Sequence, residues 1–493
     1  MRILYLDIDT LRPDHLGCYG YHRNTSPNID RIAEQGVRFE KVYVSDAPCL
    51  PSRASMFTGV FGIRSGVVGH GDTAADYRIQ GKGRGFNTRG SRPGFIMALR
   101  NALAKAGKDL YTATFSSFAE RHSAWWWYDG WREIYNCGKG GGESAEEVMP
   151  HAIDWVEKNA AAKEDWLLHV NIWDPHTTYR APEQFGNPFE DEPIEDWYTE
   201  EMRQAQWDSF GPGNPQEPAG NYGQGGSDRQ PNQVKSMDDY KKWIDGYDCG
   251  IAYGDQWIGK LFDAMDKQGV LDETIIMITS DHGENMGELA VIGDHATADH
   301  ITSRVPMILR FPDGTGGKGR VDRGLYNQCD IAATLVELAG GAVPEHWDGT
   351  SWAEAFLNKQ DGGREYVVFS QNAWSCQRSV RWENWVLIRT YHTGLRNYPR
   401  YMLFDIQADP HELNNLAGQR PDLVAHGMGL IDDWHEREMK RNDTDVDPMW
   451  TVIHEGGPFH TRTRLETYCR RLGDTSRGEH ADFLEAHPDG LAD

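Results

Sequence analysis

Apolar residues fall into two alternating patterns along the first 340 positions of this chain. Short continuous runs stand at 3–8, 37–44, 109–115, 166–172, 274–279 and 305–311. Runs of that length, bounded by polar turns, predict strands buried on both faces. Between them, apolar positions recur at helical spacing over 28–35, 94–106, 146–161, 238–268 and 330–339. Cap signals support these helices, with Asn24-Thr25-Ser26-Pro27 before the first and Gly340-Gly341 after the last. Strands alternating with helices predict an α/β domain on a large, mainly parallel central sheet covered by helices on both faces.

Past position 360 the pattern shortens to period-two strands at 366–370, 379–381, 385–389 and 401–405, and Asp409-Pro410-His411-Glu412 is expected to start a helix. The division that follows is a catalytic-sized domain over 1–360 and a smaller C-terminal domain over 361–493, with a short antiparallel sheet and a helix. Positions 187–237 are rich in Pro, Gly, Gln and acidic residues and lack periodicity. They read as an irregular insertion able to roof a site.

Composition narrows the classes. A formal net charge of −25 over 493 residues argues against nucleic acid as a partner and for a small anion, held where cations are concentrated locally. The conspicuous basic run is Arg78, Lys82, Arg84, Arg89 and Arg92, in a Gly-rich stretch that reads as a surface loop. Seven scattered cysteines show no paired spacing, so no disulfide framework is readable. Met1-Arg2 leads straight into the first strand and no apolar run approaches a membrane span, which predicts a cytoplasmic protein without a membrane partner; homo-oligomers stay open.

Three apolar runs end in chemistry: Asp9-Thr10, Asp174-Pro175-His176 and Asp281-His282-Gly283-Glu284. Open α/β sheets bind ligands at the carboxyl ends of their strands. Two aspartates and a histidine delivered there suit a divalent cation with a mixed oxygen and nitrogen shell. The dense Trp125 to Trp131 cluster has two readings, stacking on a sugar or aryl group and packing against the sheet.

Cys49-Leu50-Pro51-Ser52-Arg53 resembles the signature of the formylglycine sulfatases of the alkaline phosphatase superfamily, a group that includes phosphonate monoester hydrolases. The resemblance covers about residues 1 to 430. It implies that a formylglycine-generating enzyme oxidises Cys49 to an aldehyde. One hydroxyl of the aldehyde hydrate then attacks a small anionic sulfate ester, and the other expels sulfate from the covalent sulfo-enzyme intermediate. It implies a metal site of Asp9, Asp281, His282 and the oxidised Cys49 holding one divalent ion, calcium or manganese first, with zinc also admissible. Arg53 would hold the aldehyde hydrate. His176, in a Pro-His-x-x-Tyr segment, is the candidate general acid, and His70 stands against the transferred group.

The sequence departs from the family at three places. Thr10 replaces the second metal aspartate, leaving Thr10, Asp7 or water to fill that position. Ser116-Ser117-Phe118 replaces a segment carrying a lysine and a histidine, for which His122 could compensate. His295 stands where a further lysine is usual, which would make that charge depend on pH. Hydrolysis of sulfate esters is the leading expectation. A phosphodiesterase or phosphonate monoester hydrolase is the alternative, and a non-catalytic anion-binding homologue the third reading.

Overall fold

The apolar runs at 3–8, 166–172 and 274–279 become the middle of the molecule. In the computed structural model, which describes residues 1–77, 92–122, 124–220 and 226–490, Arg2–Ile8 pairs in parallel with Trp166–Ile172 on one side and Thr274–Ser280 on the other. The full sheet has eight strands in the spatial order Arg320–Asn327, Val37–Tyr43, Arg304–Arg310, Thr274–Ser280, Arg2–Ile8, Trp166–Ile172, Tyr111–Phe115 and Glu133–Tyr135. Arg304–Arg310 runs antiparallel to both its neighbours and the other pairings are parallel. The expected mainly parallel sheet is what forms.

Successive side chains of each strand enter opposite cores. Leu4, Leu6 and Ile8 pack with residues of Ala145–Trp155 and Met237–Lys267, while Ile3 and Tyr5 pack with Cys49–Thr58, Phe95–Lys105 and Gln328–Leu338. Each fully buried Leu or Ile contributes about 1.5–3 kcal/mol, which is why these strands read as unbroken apolar runs. The long helix Met237–Lys267 starts where Ser236 accepts the Asp239 N–H at 3.1 Å. Its Asp255 accepts the first N–H groups of Pro27–Gln35, at 3.0 Å from Asn28 and 2.9 Å from Ile29, so one helix caps another.

The second sheet has the order Tyr401–Asp405, Trp385–His392, Cys376–Trp382, Tyr366–Gln371 and Asp46–Ala47. Its first four strands are antiparallel, as expected, but Asp46–Ala47 comes from the segment before Cys49 and pairs in parallel with Tyr366–Gln371. The small sheet therefore grips the chain as it enters the cysteine motif.

One element is corrected. The stretch from Asp409 forms turns, and the helix is Pro421–Arg441. Asp409 accepts the N–H groups of Leu413 and Asn414, Glu412 has φ of 53°, and Asn415 bonds Leu403 N and Tyr401 O. These side-chain bonds compete with helix hydrogen bonds for the same backbone groups.

The insertion at 187–237 contains a helix, Glu200–Trp207, and its Ala219 and Gln230 wall the cavity described below. Arg78, Lys82, Arg84 and Arg89 lie outside the described residues, and Arg92 pairs with Asp443 at 2.7 Å. Among the described residues no helix is long and apolar enough to cross a membrane.

Candidate active site

The first strand ends by placing Asp7 and Asp9 beside Arg53, a turn into the helix Cys49–Thr58. Arg53 donates to Asp7 through Nε at 2.8 Å and Nη2 at 3.0 Å, and its Nη1 meets Asp281 at 2.5 Å and Asp9 at 3.3 Å. Arg53 is thus engaged by carboxylates of two strand ends. Three buried carboxylates demand a counter-charge, and the planar guanidinium fork matches Asp7 bidentately. Burial opposes charge on Asp7, but Arg53 and His169 hold its pKa down at about 2. Asp7 is thus the partner of Arg53. Thr10, at φ of 59°, donates its hydroxyl to Asp9 at 2.8 Å and its N–H to Asp281 at 3.0 Å, a conformation unfavourable for a β-branched residue.

Cys49 opens its helix and is fully buried. Its Sγ lies 3.2 Å from His70 Nε2 and 3.7 Å from His122 Nε2. It also forms a group with Asp281 and His282 whose donor atoms all lie within 4.8 Å of one another. Ser52 Oγ donates to the Asp281 carbonyl at 2.5 Å, locking the helix to the strand end. Burial raises the Cys49 thiol pKa, but His70, Arg121 and bonds from His122 and His282 outweigh it, so the thiol ionises well below its usual range.

These residues fit a cation. Three buried carboxylates against one guanidinium leave negative charge among them. Burial and Asp9 push the Asp281 pKa up despite Arg53. Burial also opposes charge on His282, yet Asp281, Cys49 and Asp9 raise its pKa to about 9. His282 Nδ1 lies 2.8 Å from the Gly283 carbonyl, and its buried Nε2 lies 3.4 Å from Asp281 Oδ2. That orientation turns Nε2 toward Asp281 and Cys49, where a bound cation would take the place of its proton. Of the four expected ligands, Cys49, Asp281 and His282 converge directly, and Asp9 joins Asp281 at Arg53 Nη1.

Two histidine clusters face a cavity of about 430 Å³. His176, His282 and His295 form one, with ring centroids 5.7 Å apart for His176–His295 and 4.1 Å for His282–His295. Burial holds the His176 pKa down to about 4, and burial together with His282 and His176 keeps His295 well below its usual value. The charge expected to vary at His295 is therefore absent near neutrality. His70, His122 and His460 form the other cluster, and His70 Nδ1 lies 2.9 Å from His460 Nε2.

Sequence reasoning missed four of the cavity's residues: Arg121, Trp173, Trp374 and His460. Arg121 ends the short helix Phe118–Arg121, lies 4.8 Å from the Trp173 ring centroid, and keeps a buried Nη1 without a hydrogen-bond partner among the described residues. It supplies a fixed cation after the strand where a lysine was missing; the adjacent His122 was the available signal. His460 had none beyond the His content of the tail. Trp126 and Trp127 are buried against Phe57, so most of the tryptophan cluster packs the core.

A family model described as Sulfatase matches residues 2–342, and one described as N-sulphoglucosamine sulphohydrolase, C-terminal, matches residues 297–426. An N-acetylglucosamine-6-O-sulfatase of Bacteroides thetaiotaomicron is 23% identical, over 92% of this chain and 89% of the relative. A choline-sulfatase of Rhizobium meliloti is 25% identical, over 80% of this chain and 77% of the relative. Among solved structures, the phosphonate monoester hydrolase of Agrobacterium radiobacter superposes with a TM-score of 0.66 at 20% identity, covering 92% of this chain and 97% of that one.

Proposed function

The chain belongs to the sulfatase family and is a sulfatase enzyme, and from that premise we propose that Cys49, oxidised to formylglycine, carries the hydrolysis of sulfate esters beside one divalent ion. The observation that carries this reading is the convergence of Cys49, Asp281 and His282, whose donor atoms lie within 4.8 Å of one another, with His282 Nε2 facing the Asp281 carboxylate. Asp9, Asp281, His282 and the oxidised Cys49 would hold the ion. When bound, the ion and the aldehyde hydrate supply Lewis acidity and a hydroxyl nucleophile.

The remaining work falls to the chain's own residues. Arg53 neutralises part of the carboxylate charge and fixes Asp7, Asp9 and Asp281 relative to one another. Arg121 aims positive charge at the non-bridging oxygens of the ester, where charge is held through the transition state. His70 and His122, against Cys49, stand where a proton leaves the nucleophile, and His176 lines the same cavity. Trp173, Trp374, Gln230 and Asp294 all line the cavity and offer stacking faces and hydrogen-bonding groups suited to a sulfated sugar.

Two measurements test the reading. Peptide mass spectrometry of the Cys49 fragment from active enzyme should show the aldehyde, and Asp281→Ala should lose bound metal. A thiol in fully active enzyme would sink the mechanism. A second reading, phosphonate or phosphodiester hydrolysis, is favoured by His282 in the proposed cation shell and by the absence of lysine from the described residues that line the cavity.

A further inference from the structure

Cys49 belongs to two donor groups at once. Besides the one with Asp281 and His282, its sulfur forms a second with His70 and His122, again with all donor atoms within 4.8 Å of one another. Zinc bound tetrahedrally, with thiolate at about 2.3 Å and imidazole at about 2.0–2.1 Å, sets sulfur and nitrogen about 3.6 Å apart. The observed separations of 3.2 and 3.7 Å bracket that spacing. The second nitrogen of His70 is held by His460 at 2.9 Å, the arrangement that fixes a ligating imidazole from behind. Because His70 also lines the cavity, a fourth position opens toward solvent or a small ligand.

We propose that the chain carrying Cys49 as its thiol binds one thiophilic divalent ion, of the zinc or cobalt class, through Cys49, His70 and His122, with His460 orienting His70. A thiolate with two imidazoles is a softer set than Cys49 with Asp281 and His282, and softer ligands select such ions. Asp281 is moreover already engaged by Arg53 and by the Thr10 N–H. Cys49 would bind as the thiolate, and any proton still on the sulfur or on the two ligating imidazole nitrogens leaves to solvent. Oxidation of Cys49 removes the sulfur and with it this ligand set, so the ion marks the unconverted protein and occupies the space next to the nucleophile. The inference does not rest on the proposed hydrolysis, since it concerns only the thiol form.

The test uses the full chain produced without a converting enzyme, with Cys49 verified as thiol by peptide mass and metal removed by chelator. Titration with Co²⁺ should raise a thiolate-to-cobalt charge-transfer band that saturates at one ion per chain and is displaced by Zn²⁺. Zn²⁺ should also protect Cys49 from iodoacetamide, read on its own peptide. His70→Gln and His122→Gln should each weaken binding at least about tenfold and His460→Ala about tenfold, while Asp281→Asn should change it by less than about threefold. The two glutamine variants sit on different elements, so either gives the readout if the other fails to fold. A band lost in Asp281→Asn but kept in His122→Gln would put the ion in the other group and overturn the proposal. A folded thiol protein showing neither band nor protection would also overturn it.

Discussion

The ring of His70 is joined at 2.9 Å to the ring of His460, a residue 390 positions later in the chain. His460 is itself fixed by stacking on Trp374 at 4.6 Å and by its backbone N–H, which donates to the Ala373 carbonyl. The segment that delivers it lies beyond residue 426, where the second family match ends. Since His70 also touches Cys49, this contact runs from the C-terminal segment to the proposed nucleophile.

His460 acts through His70, so its loss should disturb catalysis more than binding. In converted enzyme, His460→Ala is expected to lower kcat by about tenfold with KM and melting temperature nearly unchanged, and His460→Gln to recover part of the loss. Steady-state kinetics of the three proteins checks this. A raised KM at constant kcat would instead make His460 a substrate contact.

Cys49→Ser should fold and bind metal but turn over poorly. A serine hydroxyl can attack the ester, yet lacks the second hydroxyl that expels sulfate from the covalent intermediate. A stalled sulfo-serine adduct, visible by peptide mass after incubation with substrate, is the expected product. Multiple turnover at near the parent rate would contradict the hydrate mechanism.

How much of this was legible in the sequence follows from what each residue depends on. The central strands were readable because burial on both faces leaves an unbroken apolar run, and Asp9, His176 and Asp281 because they stand directly at the ends of such runs. The Asp409 stretch misled because its side chains bond their own backbone, which helical spacing does not register. Asp46–Ala47 is too short to show a period, and its partner strand is more than 300 positions away. Arg53 stands in a motif that the sequence shows, but its engagement depends on three carboxylates from two strand ends, a geometry fixed only by the sheet order. His460 and Trp374 lie on loops and reach the cavity through tertiary packing alone.

Asp46 gives a stability test. Burial pushes its pKa up to about 7, with the Gly62 N–H and the Ser45 hydroxyl only partly offsetting it. The folded protein therefore retains this proton at pH values where the unfolded chain, at about 3.9, has lost it. Its contribution is fully present below about pH 4 and is lost as pH rises through 7, a difference of about 3–4 kcal/mol. Asp46→Asn keeps an acceptor for the Gly62 N–H, now at 2.8 Å, and cannot ionise. The variant should melt above the parent at about pH 8.5, with the gain shrinking toward zero near about pH 4.5. An equal difference at both values would show that Asp46 titrates normally.

Charge decides which esters this site takes. Arg53 is neutralised by Asp7, Asp9 and Asp281, and burial lowers the pKa values of His176 and His295, leaving Arg121, among the described residues that line the cavity, as the fixed cation beside the proposed ion. Sulfate monoesters, phosphodiesters and phosphonate monoesters each present one negative charge around a tetrahedral centre, whereas a phosphate monoester presents two and calls for more positive charge than these residues provide. The expected order of kcat/KM, with one common aryl leaving group, is sulfate ester first, phosphodiester and phosphonate monoester measurable, and phosphate monoester last. Arg121→Gln should lower kcat/KM for all the monoanions by about a hundredfold, and Arg121→Lys should restore part of it, because a charged donor to the transferred group is worth about 3 kcal/mol. A phosphate monoester ranking first would refute the charge argument. A phosphodiester or phosphonate ranking first would move the enzyme to the second reading, and an Arg121→Gln variant with unchanged kinetics would show that the guanidinium never meets the ester.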